Sequence, residues 1–141
     1  MSQSINLYKL NTEGLYKYLC QLLSKCYSQG YKTLVKTKDY NQAQEVDNKL
    51  WTFAQQSFIP HGLISDEFKE SQPILITWQD IVKSDFDTLV LVENIVDIPN
   101  FQRAMIFCTE DTQIQNIKNL IKQTINYYTL NSKGTWDHQT I

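Results

Sequence analysis

Few side chains in this 141-residue chain could carry out covalent chemistry. The two histidines are His61, which follows Pro60, and His138. An imidazole can act as general base toward a thiol, so His61 with Cys20, Cys26 or Cys108 is the pairing to weigh. Cys20 and Cys26 fall within a helical stretch and Cys108 at a strand end, without local features that would favour the thiolate. His61 reads better as a loop residue whose ring hydrogen-bonds locally. The three cysteines form no CxxC and leave an odd one over, so neither a disulfide framework nor a zinc site is indicated. Asp85, Asp87 and the pair Glu110-Asp111 fit solvated loops or helix caps better than paired carboxylates or metal ligands. No catalytic residue, cofactor site or metal site is expected.

Phosphate chemistry fares no better. The first strand-to-helix turn reads Lys9-Leu10-Asn11-Thr12-Glu13-Gly14-Leu15, with neither GxGxxG nor GxxxxGK[ST]. Its single glycine cannot form a cradle, and Glu13 sits where a phosphate would need backbone donors. The second turn, Lys36-Thr37-Lys38-Asp39, has no glycine. A divergent nucleotide-binding α/β enzyme is the rival reading from another functional class.

Two groups of residues suit binding rather than reaction. The first is Lys49-Leu50-Trp51 with Ser57-Phe58-Ile59-Pro60-His61-Gly62-Leu63. On a helix over residues 40–53, Ala43, Val46, Leu50 and Phe53 share one face. At about 100° per residue, Trp51 points well away from that stripe. Either Trp51, Phe58, Ile59 and Pro60 present an apolar patch to a partner, or the loop folds back and covers the indole within the domain. The second group lies on the last helix, where Lys118 and Lys122 flank Ile121 at helical spacing. Paired cations beside an apolar surface suit an acidic peptide that ends in a hydrophobic residue. Ordinary helix solubility is the alternative.

The elements that position these residues follow from hydrophobic periodicity. Ile5 to Lys9 reads as a strand, and Asn11 or Thr12 opens a helix to about Ser28. Leu15, Leu19, Leu22, Leu23 and Cys26 lie on one face of it, and Gly30 is a left-handed stop. Thr33-Leu34-Val35 is a second strand, and Asp39 caps the second helix. Residues 55–72 read as irregular. Ile74 to Trp78, Thr88 to Glu93 and Ala104 to Cys108 are buried-strand candidates. Thr109-Glu110-Asp111 opens the last helix, with Ile114, Ile117, Leu120, Ile121 and Ile125 as its stripe. The tail from Asn126 is weakly specified. Alternating strands and amphipathic helices predict a three-layer α/β/α fold. Its mainly parallel sheet has about five strands, in a Rossmann-like topology without a nucleotide-binding loop.

With 42% hydrophobic and 20% charged residues and a net charge of −2, one soluble domain over residues 1–141 is expected. Twelve lysines and the single Arg103 are dispersed, which argues against a main task of gripping nucleic acid. The start, Met1-Ser2-Gln3-Ser4, has neither the basic nor the apolar region of a signal peptide. The apolar runs are strand-sized, so a cytoplasmic protein without a membrane span is expected.

A leucine-tryptophan pair at a helix end followed by Ser-Phe-Ile-Pro-His-Gly-Leu resembles the chi subunit of bacterial DNA polymerase III. The Pro-Ile-Leu-Ile-Thr-Trp strand at 73–78 and the basic last helix extend the resemblance over most of the chain. It implies a non-catalytic adaptor of the replication machinery. Trp51 and Phe58 would face the psi subunit, an equivalent clamp-loader component, or a helicase-like repair protein. The resemblance also implies that the last helix binds the acidic C-terminal tail of single-stranded-DNA-binding protein. Lys118, Ile121 and Lys122 would serve there, with Lys133 as the next place to look. DNA would be engaged only indirectly. Chi subunits commonly carry an arginine and an aromatic residue on this helix, where this chain has lysines and Ile121. Lysine lacks the bidentate fork of arginine, which implies weaker tail binding.

Overall fold

A computed structural model describes residues 4–53, 59–65, 72–79, 86–93, 101–121 and 123–141. Strand β1 (Ser4–Lys9) leads through Asn11 into helix α1 (Thr12–Ser28). The Asn11 side chain accepts a hydrogen bond from the Gly14 N–H at 2.7 Å, the cap that a short polar residue supplies at a helix start. Gly30, at φ 76°, turns the chain out of α1, a left-handed conformation that costs glycine little. Next come β2 (Thr33–Lys36) and α2 (Tyr40–Phe53). Asp39 accepts from the Gln42 N–H at 2.8 Å, as its cap position predicts.

The remaining elements are β3 (Gly62–Leu63), β4 (Ile74–Thr77), β5 (Thr88–Val92), β6 (Arg103–Cys108), α3 (Asp111–Leu120), β7 (Asn126–Leu130) and β8 (Trp136–Thr140). They complete one eight-stranded sheet in the order β3-β4-β2-β5-β6-β1-β7-β8. Every neighbouring pair is parallel except β7 with β8. The sheet is therefore α/β and mainly parallel as predicted, but wider than the expected five strands.

Two of the additional strands come from the tail that the sequence left weakly specified. Tyr127, Tyr128 and Thr129 are strand-favouring residues. Asn131 accepts from the N–H groups of Lys133 and Thr135 at 3.0 and 3.1 Å. Gly134 takes φ 80°. Together they make a hairpin turn.

Side-chain alternation along the strands divides the core into two layers. Val35, Ile74, Ile76, Val90, Val92 and Phe107 meet Leu15, Leu19 and Leu23 of α1 and Ala43, Val46 and Leu50 of α2. Leu34, Leu75, Leu89, Leu91, Ala104 and Ile106 face the other way, toward Ile114 and Ile117 of α3. Two expected stripe members fall outside the core. Phe53 is 37% exposed and Leu120 46% exposed, each the last residue of its helix. Ile125 is buried, but it belongs to the approach to β7 rather than to α3.

All three cysteines are buried and free. Burial pushes the Cys108 thiol up to about 12 and the Cys20 thiol up to about 11, and raises that of Cys26. At pH 8 the folded chain should leave a disulfide thiol reagent unreacted, and unfolding should release three reactive thiols. The sign of the alkaline effect follows from the same shifts. Above the ordinary thiol value of about 9 the unfolded chain sheds protons that the fold retains, so stability falls from pH 9 toward 12. Denaturation midpoints measured across that range test it.

Candidate protein-binding surfaces

Trp51 sits in the last turn of α2 and is 54% exposed, the largest side chain so exposed among the described residues. Its ring lies 4.9 Å from the His61 ring at 58°. His61 itself is only 6% exposed. Its Nδ1 is 2.7 Å from the Ile59 carbonyl oxygen, which makes that contact the local hydrogen bond expected of it. Nε2 is 3.0 Å from the Asp47 carboxylate, at ion-pair distance but off the direction of a hydrogen bond. Asp47 and Trp51 are four residues apart, hence neighbours on one helix face.

The segment after α2 folds back far enough to bury Ile59 and His61 while leaving the indole half in solvent. Pro60 is half-buried. Phe58 lies outside the described residues. Sequence reasoning placed Trp51 off the core stripe but missed Asp47 and the seating of His61 beneath the indole.

The second group is arranged differently from the sequence reading. Helix α3 ends at Leu120, and Ile121 is already extended at φ −103°, ψ 120°. Lys118 is exposed in the last helical turn and Ile121 is half-buried against the α3-side core. Lys122 lies outside the described residues. The helical spacing of the two lysines is therefore not imposed by α3. The chain must be extended by Ile125, whose N–H and C=O are both bonded to Ile141 at 2.9 Å.

Lys133 lies in the β7–β8 turn. That turn is at the carboxyl edge of the sheet, where the Lys9–Asp111 ion pair also holds the start of α3. Lys118 and Ile121 are at the opposite edge, one helix length of about 15 Å away. Lys133 is thus set apart from Lys118 and Ile121.

In open α/β sheets ligands bind where neighbouring strands send their chains to opposite faces. Here that place is between β1, which leads to α1, and β6, which leads to α3. A shallow crevice opens beside it, lined by Lys9, Leu10, Asn11 and Thr109 and, at the end of β7, by Thr129, Leu130, Asn131 and Ser132. Several potential phosphate donors around it are engaged. Gly14 N–H is held by Asn11, the N–H groups of Thr109 and Glu110 by Gln113 Oε1 at 2.9 and 3.2 Å, and Lys9 by Asp111. Among the described residues no cluster of three or more His, Cys, Asp or Glu could hold a metal ion. No helix among them is long and apolar enough to cross a membrane.

A model of the DNA polymerase III chi subunit family (HolC) matches residues 1–122. The chain belongs to that family. It is thereby related to a component of DNA replication, an accessory subunit of DNA polymerase III distinct from the catalytic one. A probable DNA polymerase III subunit chi of Rickettsia prowazekii (strain Madrid E) is 27% identical, over 96% of this chain and 91% of its own length. The DNA polymerase III subunit chi of Pseudomonas aeruginosa is 28% identical, over 68% of each chain. That of Haemophilus influenzae is 29% identical, over 60% of this chain and 58% of its own. The family match spans Trp51 and α3 and stops before the β7–β8 hairpin.

Proposed function

We propose that this chi-family chain is a non-catalytic cytoplasmic adaptor, one domain that joins two proteins of the replication machinery. The exposed indole of Trp51, held over buried His61, carries the reading. Tryptophan is, with tyrosine and arginine, a side chain enriched among interface hot spots. Trp51, with Phe58, Ile59 and Pro60, forms the surface for a psi-like clamp-loader component or a helicase-like protein. Ile59 serves from beneath, since its side chain is buried.

The second surface takes the acidic tail of single-stranded-DNA-binding protein. Lys118 and Lys122 meet the carboxylates, and Ile121 with its apolar neighbours receives the terminal side chain. Lys133, at the other edge, is the reserve site. Recovery of clamp-loader components and single-stranded-DNA-binding protein from a lysate, identified by mass spectrometry, is the expected result. Their joint absence would count against the adaptor.

The tail site has its own test. Exposed ion pairs are individually worth about 0–1 kcal/mol, so a single lysine change should have little effect. The double change Lys118→Glu with Lys122→Glu reverses both charges. It should weaken a synthetic tail peptide about tenfold in fluorescence anisotropy. Added salt should weaken the wild-type complex in the same assay. Unchanged affinity in the double variant moves the site to Lys133 and the segment around Gly134.

The engaged donors around the crevice at the carboxyl end of β1 predict that nucleotides with Mg²⁺ leave the melting temperature unchanged. A ligand at ten times its dissociation constant would stabilise by about 1.4 kcal/mol, a visible shift. A reproducible shift would favour the nucleotide-binding enzyme.

A further inference from the structure

Strand β8 is the last strand of the sheet, and no described strand pairs with its outer side. Ile125 and Ile141 exchange both backbone hydrogen bonds. In an antiparallel ladder such pairs alternate with pairs that exchange none. With Tyr127 opposite Gln139 and Thr129 opposite Asp137 as the next bonded pairs, Trp136, His138 and Thr140 direct their N–H and C=O groups outward. Proteins commonly blunt such edges with lysine, proline, bulges or a covering segment. Trp136-Asp137-His138-Gln139-Thr140 contains neither lysine nor proline, and all but Trp136 are exposed.

The same strand ends a row of rings. Phe107, Tyr8, Tyr128 and His138 lie directly opposite one another on β6, β1, β7 and β8. Successive ring centroids are 5.1, 5.1 and 4.8 Å apart, with planes within 21° of parallel. The outer face of His138 is the open end of that row.

We propose that β8 is a self-association edge, which a second copy of this chain joins in antiparallel register about a two-fold axis at His138. In that register His138 meets its own counterpart, and Trp136 meets Thr140 on either side. All outward donors and acceptors are thereby used. The two imidazoles continue the row of rings from one subunit into the next. On the other face Asp137 lies opposite Gln139.

A slip of one register step toward the hairpin turn sets Asp137 against itself, a like-charge pair that sheets disfavour. The opposite slip sets His138 against Thr140 and breaks the row of rings. The edge is thus complementary to itself at one register, which favours a second copy over an unrelated strand. A single strand pair buries less than the roughly 800 Å² per partner of a standard interface, so the association is weak.

Sedimentation equilibrium of the full chain between about 10 µM and 1 mM tests the proposal, the upper limit chosen because so small a contact is weak. A monomer–dimer equilibrium is expected. Thr140→Pro removes an outward N–H and no bond of the β7 ladder, and should weaken the dimer at least tenfold. Gln139→Lys sets an ammonium opposite Asp137 of the second copy and should tighten it several-fold. A wild-type chain that stays monomeric throughout overturns the proposal, as does a dimer indifferent to both changes. Should circular dichroism show that Thr140→Pro does not fold, Gln139→Asp reads the same contact with the backbone intact. Weakening of the dimer by that carboxylate supports the register, and no change overturns it.

Discussion

Truncating Phe107 to alanine should lower the unfolding free energy by about 3–5 kcal/mol, the cost typical of a deleted aromatic core side chain. Phe107 is 1% exposed on β6, between β5 and β1. It packs in the layer that joins the sheet to α1 and α2. Its ring also covers one face of Tyr8 at 5.1 Å, and the other face of Tyr8 is held by Tyr128. The loss is therefore a cavity together with an unsupported neighbour. Native domains are stable by about 5–15 kcal/mol, so this variant should be marginal or worse. Urea denaturation should show a lower midpoint at unchanged slope. A loss under about 1 kcal/mol would mean that Phe107 does not fill a rigid core site.

The parts of this fold that were legible in the sequence are those set by contacts within a few residues. Asn11 and Asp39 cap their helices through bonds to the third residue onward, and Gly30 is the only residue type that takes its φ of 76° cheaply. Strands β2, β4 and β5 are buried along their whole length, so each appears as a short apolar run. Strand β3 is two residues long and carries no pattern, because it is strand only through its pairing with β4. The hairpin could have been found from Tyr127-Tyr128-Thr129 and the Asn131 to Gly134 turn. Its polar outer strand, Asp137-His138-Gln139, hid it.

The end of α3 was misplaced for a similar reason. Ile121 and Ile125 continue a helical period, and only the bonds between Ile125 and Ile141, 16 positions apart in sequence, decide for the extended chain. At the Trp51 surface, the direction of the indole followed from helix geometry alone. What lies beneath it did not, since the seat is made by His61 from a loop and Asp47 from one turn earlier.

That seat makes Trp51→Ala the decisive variant for the partner surface. The change should weaken the psi-like or helicase-like partner by about 2 kcal/mol or more if Trp51 is a hot spot, roughly 30-fold in dissociation constant. The isolated chain should stay folded. The indole is 54% exposed and stands outside both core layers, so its removal opens no cavity in them. Fold and docking can be read separately, by circular dichroism for the melting temperature and by calorimetric titration for the partner. A circular dichroism signal and melting temperature near the wild type, with binding lost, place the anchor at Trp51. A chain that unfolds would make Trp51 a core residue instead. Unchanged affinity in a folded chain would place the partner's anchor elsewhere on the molecule. Asp47→Asn sharpens the result, because it leaves the indole in place and removes the charge facing His61 Nε2. A smaller loss of affinity there would show that the seat contributes by holding the indole still.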